Sequence, residues 1–79
     1  MKIYIVIKYD FGWKETYMLG AFSSQQSAIN VVEKEISKGG EWVKVGHWIK
    51  NEEYKEQEWI NVKGPNSGNL TIYEEELQD

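Results

Sequence analysis

From Lys2 to Tyr9 the chain reads KIYIVIKY, a short apolar run of β-branched and aromatic residues that predicts a strand, with Ile3, Ile5 and Ile7 directed to the core. Asp10-Phe11-Gly12-Trp13 supplies a turn in which Gly12 can take positive φ. Lys14 to Phe22 returns as a second strand, so the chain opens with a β-hairpin. The period then changes to that of a helix. Ser23-x-x-Gln26 has the form of a capping box, and Ala28, Ile29, Val31, Val32 and Ile36 fall mostly on one helical stripe, with Glu33, Lys34, Ser37 and Lys38 outside it. Lys38-Gly39-Gly40 closes the helix with a cation and two residues suited to positive φ. The helical stripe is expected to pack on the sheet face carrying Ile3, Ile5, Ile7, Val43, Val45 and Ile49.

Glu41 to Lys50 reads EWVKVGHWIK. As a strand it sorts into two unlike faces: Val43, Val45, His47 and Ile49 on one, and Trp42, Lys44, Gly46, Trp48 and Lys50 on the other. Asn51-Glu52-Glu53 turns the chain, and Tyr54 to Lys63 returns. There Ile60 and Val62 share a face with Glu56 and Glu58, while Lys55, Gln57, Trp59, Asn61 and Lys63 take the other, so that Trp59 joins Trp42 and Trp48. Gly64 to Asn69 is a dense turn cluster, and Leu70 to Tyr73 reads as a short last strand before an acidic end. The pattern predicts a single α+β domain over residues 1–79. It is an antiparallel ββαββ sheet, with a fifth strand left open at the C-terminus and one amphipathic helix packed on one face.

Composition narrows the function more than it narrows the fold. A chain of 79 residues has a thin core, burying roughly 60% of its unfolded surface, and gains from oligomerisation. There is no cysteine, which removes disulfides, thiolate nucleophiles and Cys-based metal sites. A reducing cytoplasm is the expected location, the host bacterial cytoplasm if the gene is phage-borne, since neither a signal peptide nor an apolar run of about 20 residues is evident. The net charge is −4, with nine lysines, thirteen acidic residues and no arginine. That balance argues against a sequence-specific DNA reader, whose commonest base contact is a bidentate guanidinium.

The opening Tyr4-Ile5-Val6 strand, the hairpin, and the step Gly20-Ala21-Phe22-Ser23-Ser24 into Gln25-Gln26-Ser27-Ala28 resemble small phage and prophage domains of unknown function. The resemblance covers roughly the first 40 residues. It implies a mobile-element accessory protein and carries no chemistry with it.

Two large indoles on a solvent face of a strand point to a surface that binds something. The candidate ligand- or partner-binding residues are Trp42, Lys44, Trp48, Lys50, Trp59, Lys55 and Lys63. Indoles could stack on a base while lysines meet phosphates, or they could anchor a protein interface or a second subunit. No catalytic residue, metal ligand or cofactor is expected. His47 is the lone histidine, and Ser23, Ser24 and Ser67 lack nucleophile-elbow spacing. The function that follows is stoichiometric binding, with a host immune protein as the leading target. An oligomeric sponge that sequesters a nucleotide second messenger, and a homo-oligomeric assembly factor, stand as alternatives. A homo-oligomer is expected, and neither a membrane nor specific DNA is an expected partner.

Overall fold

The computed structural model describes residues 1–45, 55–62 and 66–76. Strands β1 (Lys2–Asp10) and β2 (Glu15–Phe22) form the hairpin and helix α1 (Gln25–Ile36) follows. Strands β3 (Val43–Val45), β4 (Lys55–Asn61) and β5 (Gly68–Glu76) complete the chain. They make one antiparallel sheet in the order β2-β1-β5-β4-β3. The order of elements is therefore ββαβββ. The strand left open at the C-terminus is nine residues long and sits in the middle of the sheet.

Local chemistry sets the element ends. Asp10 Oδ1 accepts the Trp13 backbone N–H at 2.9 Å and so folds the hairpin turn. The positive φ expected at Gly12 falls instead on Lys14, at 54°. The helix is capped one residue later than the capping-box reading placed it. Ser24 is the N-cap, in extended conformation, and its hydroxyl oxygen accepts the Ser27 N–H at 3.2 Å. Gln26 does not reach back to Ser23; its amide donates to Asn30 Oδ1, one turn along the helix. At the other end Gly39 and Gly40 have positive φ, as the double glycine predicts.

The face assignment of the sheet is the main correction. Val6, Leu70 and Ile72 pack with Ala28 and Val32 of the helix as the fully buried core. Around them lie Tyr4, Leu19, Phe22, Ile29, Val31, Ile36, Trp42 and Trp59. The register pairs Val6 with Ile72, and Leu70 with both Lys8 and Trp59. The helix therefore covers the even-numbered residues of β1. Ile3, Ile5 and Ile7 lie on the opposite face with Val43 and Val45, and Ile49 lies outside the described residues. The physical reason is that β1 is apolar on both sides, so its own pattern cannot choose a face. Its neighbour β5 is apolar only at Leu70 and Ile72 on one side, against Asn69, Thr71, Tyr73 and Glu75 on the other.

Two polar devices fasten the helix side. Lys8, half-buried in β1, reaches Asn66 Oδ1 at 2.7 Å and Glu35 Oε2 at 3.3 Å, while Lys38 donates to Glu35 Oε1 at 2.7 Å. The last turn of the helix is thereby tied to the sheet and to the turn before β5. Asn61 is fully buried; its Oδ1 accepts the Glu41 N–H and its amide donates to the Asn66 carbonyl. It pins the segment leaving the helix against β4.

Candidate functional site

The register of β3 against β4 sets Lys44 opposite Trp59. Lys44 Nζ stands 5.4 Å from the Trp59 ring centroid, a cation–π contact worth about 0.5–1 kcal/mol at an exposed site. Trp42, one residue before β3, lies on the same side. Its Nε1 donates to the Gly39 carbonyl at 3.0 Å, so the closing turn of the helix fixes the indole plane. Both indoles are half-buried against the core, and Lys44 is exposed.

Three residues predicted as binding groups, Trp42, Lys44 and Trp59, are thus gathered on the helix side of the sheet. The helix packs over β1, β2 and β5, and among the described residues it does not reach β3 or β4. The three side chains form a ledge beside it, with two indoles rooted in the core and one ammonium on top. Lys55 lies in β4 opposite Glu74 of β5, four residues along the strand from Trp59. Trp48, Lys50, Lys63 and His47 lie outside the described residues.

Electrostatics divide the two faces. The strand lysines Lys2, Lys8, Lys44 and Lys55 all take helix-side positions by register. There Lys2 pairs with Glu74 at 3.4 Å, and the Tyr4 hydroxyl donates to the same carboxylate at 3.1 Å. Burial alone would raise the Glu35 carboxyl. Hydrogen bonds and charge from Lys38 and Lys8 outweigh it and hold that group below the ordinary glutamate range. Glu35 therefore stays ionised as a structural anchor at neutral pH. Among the described residues no group of three or more His, Cys, Asp or Glu side chains is arranged to hold a metal ion, and no helix is long and apolar enough to cross a membrane.

Pattern reading missed the open face of the sheet as a candidate surface. Ile3, Ile5 and Ile7 of β1 run alongside Met18 of β2 and Tyr73 of β5, with Ile60, Val43 and Val45 beyond. Met18 and Val43 are 62% and 61% exposed. The available signal was the apolarity of β1 at both odd and even positions, which requires cover on two sides. Comparison of the chain with protein-family models, with curated proteins and with solved structures finds no match.

Proposed function

We propose that this chain is a non-catalytic protein that acts by stoichiometric binding, with the ledge of Trp42, Lys44 and Trp59 as its contact surface. The observation that carries the reading is the pairing of two core-rooted indoles with an exposed ammonium beside the helix. Tryptophan is the residue type most enriched among interface hot spots, and indoles held from below lose little entropy when a partner docks. Each indole already has a partner of its own: Trp59 has Lys44 over it, and the Trp42 N–H is given to Gly39. Base stacking on Trp59 would have to displace that ammonium. A protein surface offering a carboxylate to Lys44 and an apolar group to the indole edges fits without rearrangement, so inhibition of a protein is preferred over nucleotide sequestration. The resemblance of the first 40 residues to phage domains makes a host immune protein the target class to screen first.

The test is plaque formation on bacterial strains that each carry one defence system, with and without the protein. Restored plaquing in one strain, lost on Lys44→Glu and on Trp59→Ala while both variants stay folded, supports the reading. Affinity for the target so identified should fall at least about 30-fold in the Trp59 variant, as for a hot-spot residue. Two results count against it: no strain responding, or Lys44→Glu working as well as the parent. Saturable quenching of tryptophan fluorescence by one nucleotide would move the reading to sequestration.

A further inference from the structure

The sheet has a second face that the ledge does not use. Ile3, Ile5 and Ile7 lie in line along β1. Met18 flanks them on β2, Tyr73 on β5, and Ile60 and Val43 further out. Tyr9 continues the line and meets Phe11 edge to face at 5.7 Å between centroids. Among the described residues no element packs over this side, because the one helix lies on the other. We propose that it is covered by the same face of a second copy of the chain, giving a layered dimer of helix, sheet, sheet and helix.

Three observations favour a second copy. The single-chain core is small. Val6, Ala28, Val32, Leu70 and Ile72 are the described apolar residues that are fully buried, and a domain of this length gains most from sharing a core. The footprint is of the right size. Five strands about 4.8 Å apart, the longest about 30 Å, present on the order of 600 Å² in projection before side-chain relief is counted. A standard interface takes about 800 Å² per partner. The charges keep off β1, the strand that carries the line of isoleucines. The charged positions on this face are Glu75, opposite Ile3, and two on β4: Glu56, opposite Tyr73, and Glu58, opposite Thr71 and accepting a hydrogen bond from Asn69 at 3.1 Å. Glu75 stands near the strand end, and Glu56 and Glu58 stand on β4, two strands from the Ile5–Ile7 line of β1. These like charges would repel their copies across a two-fold pairing and are screened by salt, so salt should tighten this dimer, opposite to its effect on an interface held by ion pairs.

Sedimentation equilibrium over a range of chain concentrations tests the pairing and needs no target. The expected result is a reversible dimer that strengthens with salt, and whose dissociation constant rises at least about 30-fold on Ile5→Glu, a charge entering the interface twice. Ile5→Glu could fail to fold, so cysteine variants give a second measurement. The chain has no cysteine. Ile5→Cys should form covalent dimers with a short bifunctional thiol reagent, while Lys44→Cys on the far side should not. A parent protein that stays monomeric at all concentrations overturns the pairing. So does a dimer that loosens with salt, or equal cross-linking of the two cysteine variants.

Discussion

Glu35 shows how one side chain joins layers that the backbone does not connect. Its carboxylate takes hydrogen bonds from Lys38 on its own helix and from Lys8 on β1, and Lys8 also holds Asn66. A carboxyl held below its ordinary range stabilises the fold fully above the unfolded-state value. That stability is lost as pH falls through the folded-state value. Glu35→Gln should therefore lower stability at neutral pH by on the order of 1.5–3 kcal/mol, the size of hydrogen bonds to a charged group. The deficit should shrink as the pH falls and the parent carboxyl protonates. Urea unfolding of both proteins across the acid range measures this, and a deficit that persists unchanged into acid would assign the loss to packing rather than charge.

Each element was legible where its neighbours imposed no choice. The helix follows from its stripe and its double glycine, and the sharing of a face by Trp42, Lys44 and Trp59 follows from period-two alternation. Two readings depended on information that local pattern lacks. In β1 the odd positions are three isoleucines and Tyr9, and the even ones include Tyr4, Val6 and Lys8, so hydrophobicity favours the odd side. The helix went to the even side because Leu70 and Ile72 of β5 lie there. Strand β5 read as a short terminal strand because it runs into Glu74, Glu75 and Glu76. Those charges are accommodated at the sheet end, where Glu74 meets Lys2 and Tyr4, and Glu76 meets the N-terminal ammonium at 3.1 Å. The cap is a finer case, since Ser23 and Ser24 are adjacent and only geometry separates them. Ser24→Ala should cost about 1 kcal/mol while Ser23→Ala stays within about 0.5 kcal/mol of the parent. Equal losses in thermal or urea unfolding would mean that the cap is shared.

For the molecule as a whole, the two faces of the sheet divide the work. The helix side carries the strand lysines, the ion pairs and the indole ledge, and the open side carries the apolar surface proposed to pair two copies. In the proposed dimer the ledges would point outward on opposite sides, so one particle would offer both to a target, and a multimeric target would be held with added avidity. Such pairing would also couple assembly to folding, because a copy that binds only the folded form stabilises it by mass action. The unfolding midpoint of the parent protein should therefore climb as chain concentration is raised. That of Ile5→Glu should be lower and independent of concentration. Scanning calorimetry at several concentrations separates this from a monomer whose core suffices alone, since such a monomer would melt at one temperature throughout.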